Sequence, residues 1–153
     1  MTISLRCVLD TNICIKQFIA DPLTPKVNQL FDHFNDPKAE FFIPDLFYVE
    51  CANTLWKYVK ANLYNADQIK ADLTDLKALR FQIISTKELI SAAVKISLNY
   101  GISAYDGCYV ALSDQVNAPL LTLDQRLVNS LGNNFDVRLF TDFQIPPLLS
   151  AVL

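Results

Sequence analysis

Leu5-Arg6-Cys7-Val8-Leu9-Asp10-Thr11-Asn12 decides how this chain is read: a short, strand-like, mostly apolar run ends on an acid, and polar helix-starting residues follow at once. The pattern recurs. Glu40 to Ile43 passes through Pro44-Asp45 into a long helix to about Asn62, Arg80 to Ser85 runs into Thr86, and Pro119 to Leu123 runs into Asp124. Val137 to Phe140 makes a fifth such segment. Between them lie helical stretches: Thr11 to Ala20, with Thr11 or Asn12 as cap, and a helix from the Thr24-Pro25 start toward Asn35. Asn65 caps a helix to about Leu79, Thr86-Lys87-Glu88 starts one that Gly101 ends, Ser103 starts the next, and Gly132 stops Gln125 to Leu131. Strands alternating with helices predict an α/β fold, a three-layer sandwich whose central parallel sheet of about five strands is flanked by helices. The tail Phe143-Gln144-Ile145-Pro146-Pro147-Leu148-Leu149 is apolar and broken by proline.

With 153 residues, 52% hydrophobic and 19% charged, the chain fits one folded domain over 1–153. The start Met1-Thr2-Ile3-Ser4 lacks the apolar stretch of a secretory signal, and no apolar run reaches the length of a membrane span. A cytoplasmic protein, away from membranes, is expected. Cys7, Cys14, Cys51 and Cys108 are scattered and read as buried reduced thiols. The single histidine, His33, sits in Asp32-His33-Phe34-Asn35-Asp36, which reads as an exposed helix end. Nucleophilic triads and zinc sites are therefore poorly supplied. A net charge of −3 argues against a basic face that grips nucleic acid by counterion release alone. It leaves open a phosphate substrate met through a bound cation, which sets the local sign by itself.

Four acids converge under this topology. Ligands of parallel sheets sit beyond the carboxyl ends of the strands. Asp10 and Asp124 each follow their strand directly, Glu50 lies in the first two turns of the long helix leaving the second strand, and Asp106 opens the helix leading into the fourth. Crowded carboxylates suit a hard divalent cation. Each acid also has a plain structural account. Asp10 and Asp124 could cap the helices after them, and Asp106 could answer Ser103 in Ser103-Ala104-Tyr105-Asp106. Glu50 could share a solvated face with Asn53 and Lys57. Against this, the helix carrying Asp106 is apolar nearly all round, and a buried carboxylate needs a partner or a cation.

Val8-Leu9-Asp10-Thr11-Asn12, Tyr48-Val49-Glu50, Gly101-Ile102-Ser103-Ala104-Tyr105-Asp106-Gly107-Cys108-Tyr109-Val110-Ala111-Leu112 and Leu121-Thr122-Leu123-Asp124-Gln125-Arg126-Leu127 together resemble the ordered motifs of a PIN domain, and most closely the VapC-like ribonuclease toxins. The resemblance covers nearly the whole chain. It implies an acidic quartet of Asp10, Glu50, Asp106 and Asp124 that holds Mg²⁺ or Mn²⁺, with Asn12 and Thr122 as the small polar residues beside it. It further implies metal-dependent endonuclease hydrolysis of RNA, a toxin neutralised by a small antitoxin, and a homodimer. Phe18, Phe47, Tyr48, Trp56 and Tyr64 are candidates to line the antitoxin groove. Gly107, where alanine is more usual, is a departure from the pattern, as is the long tail beyond Asp142. Alternatives are a catalytically inactive binding module of the same fold, or a solitary nuclease outside any toxin–antitoxin pair. A receiver domain would want an acceptor Asp after the third strand, where Ile84-Ser85-Thr86-Lys87 has none, and an aspartyl phosphatase would want Asp-x-Asp where this chain has Asp10-Thr11-Asn12.

Overall fold

The central strand β1 (Arg6–Leu9) loses Cys7, Val8 and Leu9 entirely to the interior, as a strand covered on both faces must. The computed structural model describes residues 3–148. Beside β1 run β2 (Glu40–Pro44) and β4 (Leu120–Thr122), with β3 (Gln82–Ile84) outside β2 and β5 (Val137–Leu139) outside β4. All four pairings are parallel, in the order β3-β2-β1-β4-β5. The expected strands are therefore all present, four of them trimmed by a residue or two at their ends and β2 longer by one residue, Pro44. The chain walks outward from β1 to β3, then returns to the other side of β1 for β4. That reversal opens a crevice at the carboxyl ends of β1 and β4, where no helix crosses over from one strand to its neighbour.

Among the described residues seven α-helices cover the two faces: α1 (Thr11–Cys14), α2 (Thr24–Phe31), α3 (Leu46–Lys60), α4 (Ile69–Ala78), α5 (Thr86–Tyr100), α6 (Ala104–Val116) and α7 (Gln125–Leu131). Helix α3 shows how periodicity directs packing: Phe47, Cys51 and Leu55, four residues apart, are fully buried, while Val49, Trp56 and Lys57 face outward. Each apolar side chain removed from water this way contributes about 1.5–3 kcal/mol. Helix α5 ends as its sequence suggests, on Gly101 in the left-handed region at φ 70°.

Several local expectations change. Helix α1 is shorter than the predicted Thr11–Ala20, giving way to a 3-10 turn over Ile15–Gln17. Its cap position falls on Asp10, not on Thr11 or Asn12, because Asp10 is the last residue with extended backbone. Thr24 does not cap α2. Its hydroxyl accepts the Asp21 N–H and donates to the Lys16 carbonyl, closing the preceding loop together with the Lys16–Asp21 ion pair at 2.8 Å. Asn65 caps a 3-10 turn, Ala66–Gln68, that leads into α4.

His33 is not on the surface. It is buried at 3% exposure, and its Nε2 lies 2.9 Å from the Pro146 carbonyl, so the proline-broken tail folds back over the end of α2 and covers it. Lys26 strengthens the same seam, donating to the Phe140 carbonyl at 2.7 Å while lying over the Phe140 ring. Local sequence could not reveal a cover contributed from more than a hundred residues away. Leu149, the last residue of the quoted tail, lies outside the described residues.

Helices α5 and α6 pack unusually close, and Gly107 is the reason. A Cβ placed there would meet the Ala93 carbonyl oxygen at 2.6 Å and the Ser97 Oγ at 2.9 Å. Alanine would gain about 1 kcal/mol of helix propensity over glycine. The contact with rigid backbone outweighs that gain, so Gly107→Ala is expected to destabilise the protein by about 1–3 kcal/mol in urea unfolding. Adding Ser97→Ala should restore only part of the loss, because the carbonyl remains. A Gly107→Ala variant as stable as wild type would remove close packing as the reason for glycine.

Candidate active site

Asp10 ends β1 directly beside Thr122, the last residue of β4, because Leu9 pairs with Leu121 and the Asp10 N–H continues the ladder to the Leu121 carbonyl at 3.1 Å. The Thr122 side chain is fully buried there. Its hydroxyl lies 2.7 Å from Asp10 Oδ2, while the Asp124 N–H at 3.1 Å and the Asn12 Nδ2 at 3.3 Å both approach it as donors. A hydroxyl has one proton and two lone pairs. With both lone pairs taken by N–H groups, the Thr122 proton has to point at Asp10. Asn12 is engaged at both ends, its Oδ1 accepting the Leu123 N–H at 3.2 Å. Asn12 and Thr122 thus sit beside the acids as predicted, locked to one another and to Asp10.

The rest of Asp10's surroundings disfavour its charge. The Asp10 residue keeps some surface exposed, but its carboxylate lies deep, and burial pushes its pKa up to about 6 despite the Thr122 hydrogen bond; the Asp106 charge pushes the same way. As a cap Asp10 is idle, because its side chain makes no bond to an α1 amide. The hydroxyl of Thr11, 3.2 Å from Oδ1, adds a second weak donor.

Glu50 comes from α3 and is half-buried, bordering an open recess together with Asn53. The Tyr109 hydroxyl donates to its Oε1 at 2.6 Å. Burial holds the Glu50 carboxyl above the usual range; the Tyr109 bond opposes this, and the charges of Asp10 and Asp106 add to it. The solvated-face account of Glu50 therefore holds only in part, since the residue shares a recess with Asn53 while its Oε1 is bonded inward to Tyr109. Asp106, in the first turn of α6, is also raised, first by burial and then by the charge of Asp124. Ser103 caps α6 by accepting the Asp106 N–H at 3.1 Å, which uses the backbone of Asp106 and leaves its carboxylate half-buried over the crevice. For Asp124 the capping account holds for one oxygen: Oδ1 accepts from the Arg126 and Leu127 amides.

All four predicted acids are thus electrostatic neighbours, although they come from four separate segments. The ion pairs found among the described residues, Arg6–Glu40, Lys16–Asp21 and Arg138–Asp136, involve none of them. Among the described residues no three His, Cys, Asp or Glu side chains form a group that could hold a metal ion as they stand. The donor chemistry nevertheless fits a hard cation: the four acids offer oxygen donors only, Asp10, Glu50 and Asp106 are raised in pKa by burial and by neighbouring charge, and among the described residues no basic side chain pairs with any of the four. Soft ligands do not compete. All four cysteines are buried and free, and contact with Cys14 together with burial drives the Cys51 thiol far up, so it stays protonated.

Sequence reading did not single out Tyr109. Its signal was available, since it stands three residues after Asp106 and carries the only phenol within the buried run of α6. Of the five aromatics expected to line a groove, Tyr48 alone borders the apolar recess of about 450 Å³ between α3 and α4, with Val49, Ala52, Leu73, Leu76 and Lys77. Phe47 is wholly core, Phe18 borders a separate recess against Asp72 and Asp75, and Trp56 carries Lys60 over its ring at 4.4 Å. Among the described residues no helix is long and apolar enough to cross a membrane.

A stretch of 87 residues is 37% identical to Ribonuclease VapC3 of Pyrobaculum aerophilum, covering 54% of this chain and 65% of that protein, so the chain spans less than two thirds of this relative. The fold resembles a toxin-antitoxin complex from Klebsiella pneumoniae, with a TM-score of 0.62 at 18% identity over 91% of this chain and 99% of that one. It also resembles VapBC-1 from nontypeable Haemophilus influenzae, with a TM-score of 0.61 at 18% identity over 90% of this chain and 100% of that one. At such identity these two structures speak for the fold alone. The PIN domain family itself matches residues 7–130, from β1 through nearly all of α7 and across all four acids, and the chain belongs to that family.

Proposed function

We propose that this protein is a metal-dependent endoribonuclease that hydrolyses RNA phosphodiester bonds, and that it serves as the toxin of a toxin–antitoxin pair. One observation carries the reading: four carboxylates from distant segments are electrostatic neighbours near the switch point of a parallel sheet, and among the described residues no basic side chain is paired to any of them. Kinship with a ribonuclease, and fold likeness to toxin–antitoxin complexes, support the substrate and the partner.

In this reading Asp10 and Asp106 would be the direct ligands of Mg²⁺ or Mn²⁺, and Glu50 and Asp124 would ligate directly or through water. Such an ion supplies Lewis-acid stabilisation of phosphate charge and an acidified water. The chain's own contribution is orientation. The Thr122 proton aims Asp10, the Asn12 amide holds Thr122, and the α7 amides hold one oxygen of Asp124. Glu50 and Asp124 would also help orient the attacking water. The apolar recess between α3 and α4 would take a helix or strand of the antitoxin, as an amphipathic segment docks in a groove. A homodimer is the assembly proposed, by kinship.

Incubation of the purified protein with single-stranded RNA and Mn²⁺ is expected to give cleavage that EDTA abolishes. Absence of metal-dependent cleavage would favour a non-catalytic binding module. Asp10→Asn should leave the fold intact and reduce cleavage by at least about a hundredfold, as loss of a direct ligand does; full activity in that variant would remove Asp10 from the mechanism.

A second outcome concerns pH. The folded-state pKa of Asp10, about 6, lies above its ordinary value, so the folded protein holds a proton that the unfolded chain releases. That contribution to stability is complete below the ordinary aspartate pKa and is lost as pH rises through about 6. In EDTA, the melting temperature of Asp10→Asn should therefore gain on wild type between about pH 4 and pH 7. Parallel curves for the two proteins would refute the burial of an uncompensated charge at Asp10. Mn²⁺ at neutral pH should raise the wild-type melting temperature and leave Asp10→Asn nearly unmoved.

A further inference from the structure

We propose that Tyr109 is a positioning residue for metal binding: it holds the Glu50 carboxylate over the crevice by one oxygen and leaves the other oxygen for the cation. The inference rests on the nuclease reading only in so far as both need the acids to bind a divalent ion.

Three observations combine. The Tyr109 hydroxyl donates to Glu50 Oε1 at 2.6 Å, a short bond of the kind made to an ionised carboxylate. The phenol cannot wander, since Tyr109 is 2% exposed and packed on all sides within α6. Tyr109 also stands three residues beyond Asp106 on the same helix, so its hydroxyl is rigidly referenced to that acid. The bond therefore works as a strut from α6 to α3 that fixes where Glu50 stands relative to Asp106.

A glutamate at this place needs such a strut. Its long side chain is repelled by both Asp10 and Asp106, and the exposed face of α3 carrying Asn53 and Lys57 offers an easy escape toward water. Without the hydroxyl, the ion would have to recruit Glu50 from solvent on each binding event. With it, and with the Thr11 side chain as the other neighbouring donor, the Glu50 carboxylate is held in a fixed direction. The competing account is that Glu50 merely satisfies a buried phenol, which wants a hydrogen-bond partner in any case. The two accounts differ in what happens to metal affinity, and in whether the two side chains act through each other.

The experiment is a double-mutant cycle of Tyr109→Phe, Glu50→Gln and their combination, on the full chain. Mn²⁺ binding is measured directly, from the electron paramagnetic resonance signal of the free ion without RNA, and RNA cleavage is measured in parallel. Removing one oxygen keeps the packed ring, and thermal melts at the binding temperature verify that each variant is folded. Tyr109→Phe is expected to weaken Mn²⁺ binding about tenfold or more, as loss of an outer partner of a ligand does. It should lower kcat at saturating Mn²⁺ while leaving KM for RNA within about twofold, and should add less than about twofold once Glu50→Gln is present.

Wild-type Mn²⁺ affinity in folded Tyr109→Phe, or full multiplication of the two effects in the double variant, overturns the proposal. A wild-type protein that binds Mn²⁺ without cutting RNA would sink the nuclease reading alone, and the binding cycle would still decide the role of Tyr109. Wild-type protein that binds no Mn²⁺ would end both.

Discussion

A carboxylate at the end of the central strand, sunk in the protein with hydroxyls for company and no cation, is the constraint on which the rest of the site depends. Asp10 cannot be neutralised by a basic side chain and cannot escape to water, because β1 ends where β4 presses against it. Its charge is tolerable only with a proton or with an external cation. Thr122 gives it one hydrogen bond and in doing so passes the constraint on. The same hydroxyl holds the Asp124 amide and Asn12, so the position of Asp10 is written into the loop that presents Asp124. Two acids 114 residues apart are thereby joined through a single oxygen atom.

The other two acids reach the crevice by a different route. Glu50 and Asp106 ride on helices α3 and α6, which flank the sheet, and a helix can shift on its bed in ways a paired strand cannot. Close packing limits that freedom. Gly107 lets α5 lie against α6 with no side chain between their backbones, and the buried run from Gly107 to Ser113 anchors α6. The glycine that departs from the family pattern next to Asp106 thus has a packing cause. It does not disturb the acid, whose carboxylate points the other way, toward the crevice shared with Asp124.

What a sequence can say about such a site depends on the range of the interaction. Asp10 and Asp124 were legible because each terminates a strand-like run, and strand ends on one edge of a parallel sheet are a consequence of right-handed crossovers. Asp106 was legible because it interrupts an otherwise apolar helix. Glu50 was the weakest of the four by local pattern, since Asn53 and Lys57 lie on its own side of α3. Its inward turn is settled by Tyr109, 59 residues away. His33 misled for the same physical reason: its flanks are polar, yet the tail that buries it comes from the far end of the chain.

By itself, the order of residues determined the alternation of strands and helices, the covered parallel sheet, the edge at which the acids gather and the family motifs they make. These follow from periodicities of two and 3.6 residues and from topology rules that operate on whole elements. Only the folded structure decided which oxygen faces which donor, how short α1 is, that Asp124 divides its carboxylate between a helix cap and the crevice, and that Tyr109 and Thr122 aim the acids. Hydrogen bonds act over about 3 Å, so a partner exists only once strand register and helix contact have set positions to within that distance. No local pattern carries that information, because it belongs to pairs of segments and not to either one.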